Sequence, residues 1–508
     1  MFARAKSGTI IGVKAHTVVV EAHRGKGLPG LTLIGMARGA VRESAVRVRS
    51  AILASDIALG TQRTVVNLLP AELPKEASAL DLPLAVSLLA ASGVLPHEAL
   101  DNRRFFGELS LGGALEPVRG GVLVADLVRE EGEQELILPA ASAAEASVIP
   151  GVRVLGAHCL QDVVSHLLGN KPLEPVQPPT FTQGETEHCL SQVCGQPKAR
   201  RALEIAAAGG HNLLMVGPPG SGKTMLARSL AGILPPLDSK ERIEVTRIQS
   251  AAGRSGQSGL VGQRPIRSPH HTASEVALCG GGSLPRPGEV TLAHRGVLFL
   301  DELPEFSRRA LEALREPLED GVIHIARAAM SLEFPANVLL IAAMNPCPCG
   351  YHRVGKGEES SGARPVKVCM CSFDQIQRYR AKISGPLLDR IDMHVLVDAV
   401  SYREFFGAGK SESSALVRQR VVHARNLQRT RSGEGALNAS MSQSALDKVA
   451  PVDESMLSII EEAIEKNGLS TRAINRLRKV SRTIADLAGE SQVNAEHLSE
   501  ALSFRVLS

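Results

Sequence analysis

The chain has 508 residues, 44% of them hydrophobic, and a formal net charge of +4. Its length suffices for roughly three domains, and its apolar content excludes a chain that is disordered throughout. The small net charge neither requires nor excludes nucleic acid, whereas the lack of tryptophan disfavours base stacking on aromatic platforms. No segment has the pattern of a signal peptide or a bilayer-spanning run, which predicts a cytoplasmic protein without a membrane partner.

The first predicted domain covers residues 1–168 and mixes strands with helices. Runs rich in valine, threonine and leucine at 17–22 and 64–69 predict strands. Apolar residues at helical spacing between 41 and 52 predict an amphipathic helix. This mixture is typical of an α+β unit.

One stretch of this domain, residues 67–85, resembles the Lon-protease-like domain that begins ComM/YifB proteins. It contains Pro74-Lys75, after which the catalytic serine stands in Lon itself. The aligned position is Ala79, Ser78 stands one residue early, and no lysine partner occurs at 120–123. Because a Ser–Lys dyad needs both members in contact, the resemblance implies a non-proteolytic relative in which Ser78 is structural.

Residues 169–188 are predicted to be an extended linker, since they combine several prolines with polar residues and show no periodicity. The segments on either side of residue 400 are predicted to be a central domain, 189–400, and a C-terminal helical unit, 401–508.

The most specific motif of the chain has the pattern G-x-x-x-x-G-K-[ST] and consists of Gly217-Pro218-Pro219-Gly220-Ser221-Gly222-Lys223-Thr224. A short apolar run precedes it and a helical pattern follows, which is the context that a phosphate-binding loop requires. Backbone N–H groups of the glycine turn and the helix N-terminus are expected to bind the phosphates of ATP. Lys223 would reach the β- and γ-phosphates, and the Thr224 hydroxyl would bind Mg²⁺.

Two further strands are predicted to end in polar residues near the phosphates. The apolar run 296–300 ends in Asp301, which would hold Mg²⁺, and Glu302, which would polarise the attacking water. The run 337–344 ends in Asn345, which is expected to contact the γ-phosphate as an AAA+ sensor residue. The alternative for Asn345 is an ordinary turn residue before a proline.

The segment 384–392 resembles the arginine-finger segment of the magnesium-chelatase and MCM branch of AAA+ ATPases. The resemblance implies that Arg390 reaches the γ-phosphate of a neighbouring subunit and that the working form is a ring, expected to be a hexamer. The alternative is a surface ion pair of Arg390 with Asp389 or Asp392.

Two inserts resemble those of magnesium-chelatase-like proteins, in which they line the pore of the ring. They lie at 266–274 and 321–328, and Arg264, Arg267 and Arg327 are expected to meet DNA phosphates there. His270 and His271 could bind a metal, but adjacent side chains are expected to point apart, which favours turn or pore roles.

Four cysteines cluster after the sensor strand: Cys347, Cys349, Cys369 and Cys371. Four thiolates suffice for a tetrahedral, structural Zn²⁺ site. The C-x-C spacing is tighter than usual, so free thiols in a loop are the alternative.

In the C-terminal unit, Ser470 or Thr471 is predicted to cap a helix. Arg472 then lies in the first turn, where a cation is disfavoured by the helix dipole unless it meets an anion. This is the place of the sensor-2 arginine in AAA+ ATPases.

Taken together, these motifs identify the chain as similar to the ComM/YifB family of magnesium-chelatase-like AAA+ ATPases. The resemblance implies an α/β P-loop core with a helical lid, preceded by the Lon-protease-like domain. It also implies an ATP- and Mg²⁺-dependent ring motor that acts on DNA as a branch-migration helicase in recombination and natural transformation. The alternatives are a magnesium-chelatase-type subunit, an ATP-dependent protease and a non-motor ATP switch.

Overall fold

The computed structural model describes most of the chain, namely residues 1–28, 30–35, 38–60, 62–75, 78–179, 188–254, 260–282, 285–327, 330–352, 368–399, 412–433, 435–467 and 469–505. Much of the predicted linker, 180–187, and the predicted start of the helical unit, 400–411, therefore lie outside the described residues.

The N-terminal part is built on a mixed seven-stranded sheet with the strand order β3-β4-β2-β1-β5-β8-β9. Its strands and those of a small hairpin are β1 Phe2–Ile11, β2 Lys14–Gly25, β3 Gly30–Ile34, β4 Arg63–Leu69, β5 Arg103–Phe105, β6 Glu108–Leu109, β7 Leu115–Glu116, β8 Glu135–Pro139 and β9 Arg153–Ala157. The helices are α1 Arg38–Ala54, α2 Asp81–Ala91, α3 Gly121–Glu130, α4 Ala140–Ala146 and α5 Leu160–Leu167. Every residue of α2 is buried, because this apolar helix packs across β1 and β2.

The central part contains a five-stranded, wholly parallel sheet with the order β11-β14-β17-β10-β18. These strands are β10 Leu213–Val216, β11 Ile266–Arg267, β14 Val297–Leu300, β17 Leu339–Met344 and β18 Met393–Leu396. Strands that are buried on both faces have continuous apolar sequences. This is why β10, β14 and β17 could be predicted from local sequence. The predicted parallel α/β core is confirmed.

Helices flank this sheet, and two antiparallel pairs extend from it. The pairs are β12 Gly280–Gly281 with β13 Arg286–Pro287, and β15 Val322–Arg327 with β16 Met330–Pro335. The helices are α6 Pro197–Gly209, α7 Lys223–Ile233, α8 Ser239–Ala251, α9 Glu275–Cys279, α10 Glu289–Leu292, α11 Arg308–Ala313, α12 Arg315–Asp320, α13 Phe373–Arg380 and α14 Gly385–Leu388.

The C-terminal part is helical over its described residues. Its helices are α15 Ser414–Ser432, α16 Gln443–Val449, α17 Glu454–Asn467, α18 Thr471–Ala488 and α19 Ala495–Leu502. Ser470 is the N-cap of α18, because its side chain accepts a hydrogen bond from the Ala473 N–H. Across the described ranges, none of the helices combines the length and apolar character needed to cross a membrane.

Candidate nucleotide-binding site

The predicted phosphate-binding loop joins the carboxyl end of β10 to the first residue of α7. Gly220 and Gly222 have φ values of +77° and +89°, a left-handed conformation that glycine adopts without steric cost. Between them, the Ser221 hydroxyl is buried and has no hydrogen-bond partner among the residues that the structure describes. A buried hydroxyl of this kind is satisfied when a phosphate oxygen enters the loop, so the loop fits the ligand that its sequence predicts.

Lys223 projects into this loop and is only 8% exposed. Its Nζ donates to the carbonyl oxygens of Gly217 at 2.7 Å and Pro218 at 2.9 Å, and to Asn345 Oδ1 at 3.3 Å. Burial lowers the pKa of Lys223, and the charges of Asp301 and Glu302 offset part of that effect. A buried ammonium whose direct partners are neutral oxygens favours the entry of an anion.

Thr224 and Asp301 form the second part of the site. Thr224 Oγ1 donates to Asp301 Oδ2 at 2.8 Å, which brings the ends of β10 and β14 together. Hydroxyl and carboxylate oxygens are the hard ligands that Mg²⁺ prefers. The two residues therefore fit the ion that the sequence predicts.

Glu302 lies in the turn after β14 and contacts a histidine that sequence reasoning did not connect to it. Its φ is +50°, a left-handed conformation that a non-glycine residue rarely adopts and that is enriched at functional sites. Its Oε2 lies 3.2 Å from His271 Nδ1. No signal in the sequence connects the two residues, because β11, which His271 follows by four residues, becomes a neighbour of β14 only in the folded sheet.

The expectation that His270 and His271 point apart was wrong. Their ring centroids lie 4.1 Å apart, because the chain turns at Thr272, whose hydroxyl is 2.9 Å from His270 Nδ1. The turn leaves His271 free to face Glu302.

Arg390 lies at the opposite edge of the sheet from the phosphate-binding loop. It precedes β18, whose first residue pairs with the first residue of β10, and its carbonyl accepts from Asn212 Nδ2 at 3.0 Å. The loop begins where β10 ends, about 13 Å away for a four-residue strand. Arg390 therefore lies too far away to complete the site of its own chain.

Arg390 does form an ion pair in the structure, but with a different partner from the aspartates considered as the alternative. Its guanidinium contacts Glu319 and the carbonyl of Arg315, and neither adjacent aspartate is its partner in the described part of the chain. Burial, and then the charges of Arg315, Arg476 and Arg472, lower its pKa. The positive charge of Arg472, at the start of α18, thus acts on Arg390.

Two of the arginines expected to meet DNA are paired with carboxylates in the structure, and their contact with DNA stays a prediction. Arg264 Nη2 lies 2.6 Å from Glu241 and is largely buried, and Arg267 Nε lies 2.6 Å from Glu289. The side chain of Arg327 lies outside the described residues.

The four clustered cysteines are brought together as predicted. Cys347 Sγ lies 3.3 Å from Cys349 Sγ and 3.7 Å from Cys369 Sγ, and the Cys371 thiol lies within 4.8 Å of the other three. Bonds of about 2.3 Å to one tetrahedral Zn²⁺ require sulfur–sulfur distances of about 3.8 Å. The cluster is therefore the right size for one metal ion.

Comparison with known families defines the class of this fold and site. Residues 189–405 match the model described as "Magnesium chelatase, subunit ChlI", residues 20–142 match "Subunit ChlI of Mg-chelatase", and residues 411–505 match "Magnesium chelatase, subunit ChlI C-terminal". These matches define a magnesium-chelatase-like AAA+ protein.

Two curated relatives make the assignment narrower. Competence protein ComM of Haemophilus influenzae is 42% identical over 503 residues, which is 98% of this chain and 96% of the relative. The uncharacterized protein YifB of Escherichia coli is 41% identical over 502 residues, with the same coverage of 98% and 96%. The chain belongs to the ComM/YifB family of magnesium-chelatase-like AAA+ ATPases, and this membership implies ATPase activity, ATP and Mg²⁺ as ligands, and oligomerisation.

Proposed function

We propose that this protein is an ATP-hydrolysing ring motor, expected to be hexameric, that acts on DNA in the cytoplasm. The observation that carries the proposal is the division of catalytic groups between two edges of one sheet. Lys223, Asp301 and Asn345 meet at the carboxyl edge, whereas Arg390 lies at the amino edge of the same sheet. A complete site then needs the carboxyl edge of one protomer and the arginines of the next.

Each side chain has a distinct task in the proposed reaction. Lys223 and the loop amides hold the β- and γ-phosphates, while Thr224 and Asp301 would hold Mg²⁺, which neutralises phosphate charge when bound. Glu302 orients the attacking water and accepts its proton. Asn345, already hydrogen-bonded to Lys223, would contact the γ-phosphate.

The two arginines complete the proposed site from the neighbouring protomer. Arg390 stabilises charge on the transferred phosphate, and Arg472 supports it from the first turn of α18. An anion bound in the neighbour's site would also relieve the repulsion that lowers the pKa of Arg390.

We infer that the DNA substrate is a branched recombination intermediate and that the motor moves its branch point during natural transformation. The 42% identical relative named a competence protein supports a role in competence. The hairpin β15–β16, in the position of a pore insert, exposes His324 and Glu333 and supports contact with a polymer in the ring.

The test is a branch-migration assay on three- and four-way junctions with the purified protein and ATP. We expect ATP-dependent strand exchange, faster ATP turnover with DNA, and neither activity for the Lys223→Ala variant. ATP turnover without movement of any junction would contradict the helicase proposal. It would favour the second candidate, a remodelling subunit that does not act on DNA, which the magnesium-chelatase family models support.

We further propose a division of labour along the chain. Residues 1–168 form a Lon-protease-like domain that lacks the Ser–Lys dyad, and 169–188 link it to the ATPase core at 189–400. Residues 401–508 form the helical lid. The buried Ala79 at the position of a nucleophile supports a non-proteolytic role for the first domain, and absence of casein cleavage is the expected result.

The cysteine cluster is proposed to bind one structural Zn²⁺ ion per chain. Metal analysis of purified protein should find about one zinc per chain, which the Cys369→Ser variant loses and the Cys159→Ser control, outside the cluster, retains. Purified, folded protein that contains no stoichiometric metal would contradict this assignment.

A further inference from the structure

The cysteine cluster is built on the two elements that border Asn345. Cys347 and Cys349 follow β17 directly, and Cys369 and Cys371 directly precede α13. Residues 353–367, between the two pairs, lie outside the described residues. A single ion bound by both pairs would therefore connect the end of β17 to the start of α13.

The first cysteine pair forms a turn that rests on the phosphate-binding loop. The Gly350 N–H donates to the Cys347 carbonyl at 3.0 Å, and Gly350 has a φ of +85°. A Cβ atom at Gly350 would lie 2.5 Å from Cδ of Pro219, closer than any real contact. The turn is thus in direct contact with a residue of the loop that surrounds the phosphates.

A second contact connects the cluster to Asn345. Tyr379, which lies on α13, is buried in the same apolar cluster as Met344, the residue before Asn345. The side chain of Asn345 accepts from Lys223 Nζ at 3.3 Å. The position of α13, and hence of the second cysteine pair, therefore bears on the residue that contacts the catalytic lysine.

The immediate surroundings of the thiols suit a metal thiolate centre. The N–H of His352 donates to Cys347 Sγ at 3.3 Å. Such donors stabilise thiolates and orient them toward a metal. Cys347 itself is fully buried, so the ion would be held against the protein core rather than in solvent.

From these contacts we propose that the metal bound by the four cysteines sets the geometry of the nucleotide pocket through Gly350 and Asn345. The inference rests on the proposed ATP-binding function and adds a control of it. Without the ion, the turn at 347–350 and α13 are no longer held together. The phosphate-binding loop then loses the packing of Gly350 against Pro219. Loss of the metal then weakens nucleotide binding, although none of the cysteines touches the nucleotide.

The experiment compares full-length protein as purified, after chelation, and after zinc is restored. We expect chelation to weaken binding of a fluorescent ATP analogue by roughly five- to tenfold, with recovery on zinc addition. Amide hydrogen exchange at 217–224 should speed up in the metal-free protein even without nucleotide. Circular dichroism checks that the chain remains folded, and Cys159→Ser should behave as the wild type.

A variant that keeps all four thiols tests the link separately from the metal. Gly350→Ala should retain zinc and yet bind nucleotide more weakly, because its Cβ displaces Pro219. Equal nucleotide affinity and equal exchange at 217–224 in metal-free and metal-loaded protein would overturn the inference. Failure of the ATPase proposal has a different signature, since zinc-loaded wild-type protein would then neither bind nor hydrolyse ATP.

Discussion

At the scale of single residues, the site is arranged around Lys223, which is buried beside oxygens that carry no net charge. Burial lowers its pKa because the charged ammonium is partly removed from water. A bound phosphate would offset this unfavourable desolvation of the charge. The buried Ser221 hydroxyl, which has no partner in the described part of the chain, gains a hydrogen bond when the phosphate binds. The loop is therefore preorganised for an anion before ATP arrives.

His271 provides the sharpest residue-scale prediction. Because its Nδ1 lies 3.2 Å from Glu302 Oε2, it positions the carboxylate that acts on water. We expect His271→Ala to lower kcat by roughly tenfold with little change in KM, since orientation of the base is lost and substrate binding is not. Steady-state ATPase kinetics measure both constants.

His270 is the neighbouring control, because its Nδ1 faces the Thr272 hydroxyl and its ring, 4.1 Å from that of His271, is not the one beside Glu302. His270→Ala should retain near wild-type kcat, and His271→Asn, which keeps a donor, should recover part of it. An equal loss of kcat in His270→Ala and His271→Ala would contradict the assignment, because His271 would then matter only for the conformation of the turn at 270–272.

At the scale of elements, the strands and the phosphate-binding loop were predictable because their signals are local. The runs before Asp301 and Asn345 are continuous and apolar, and a parallel sheet brings their ends to one edge. The contacts that could not be predicted have the opposite origin. Arg264 and Arg267 are neutralised by glutamates 23 and 22 residues away in sequence, and nothing in a single sequence indicates such pairs.

The position of Arg390 illustrates the same limit. Its segment was recognisable by resemblance, but its place at the amino edge follows from the strand order, which puts β18 beside β10. The contact between His271 and Glu302 also depends on that order, because β11 and β14 are neighbours only in the folded sheet.

An element-scale prediction concerns Glu244, which connects α8 to the turn before β14. Hydrogen bonds from His294 and Arg295 outweigh burial and lower the pKa of Glu244 to about 2 from its usual 4.5. The Glu244 carboxyl is thus a stronger acid in the folded protein than in the unfolded chain. Its hydrogen bonds with His294 and Arg295 therefore stabilise the fold above pH 4.5, and this stabilisation is lost as the pH falls toward 2. At 38% exposure of the side chain, solvent screening limits the contribution to about 0.5 kcal/mol.

Thermal unfolding of Glu244→Gln should accordingly show a lower midpoint than wild type at pH 7. The difference should shrink as the pH is lowered through 4 toward 2. Glu130→Gln, at an exposed position on α3, is the control and should match wild type throughout. A difference that grows in acid would contradict the sign of this assignment.

At the scale of the whole molecule, the two sheets are connected through α8. Arg247 of α8 lies 2.5 Å from Asp126 of α3, and Ser250 Oγ donates to Glu145 at 2.8 Å. Ala251 packs within the apolar cluster of the N-terminal part. Movement of the ATPase core can therefore reach the first domain through one helix.

The central claim is that a working site is shared between protomers, and mixing two inactive variants tests it. Lys223→Ala keeps the arginine surface, whereas Arg390→Ala keeps the phosphate-binding edge. Each alone should lack ATP turnover. Co-assembled at equal amounts, random neighbours would form complete sites at about one quarter of the interfaces, so turnover should recover to about that fraction.

The measurement is the ATPase rate of the mixture after joint reassembly, compared with each variant alone and with wild type at equal total concentration. The account predicts clear recovery of turnover in the mixture. A mixture that stays inactive while wild-type protein reassembled in the same way is active, or an Arg390→Ala protein with wild-type turnover, would contradict a site shared between neighbouring chains.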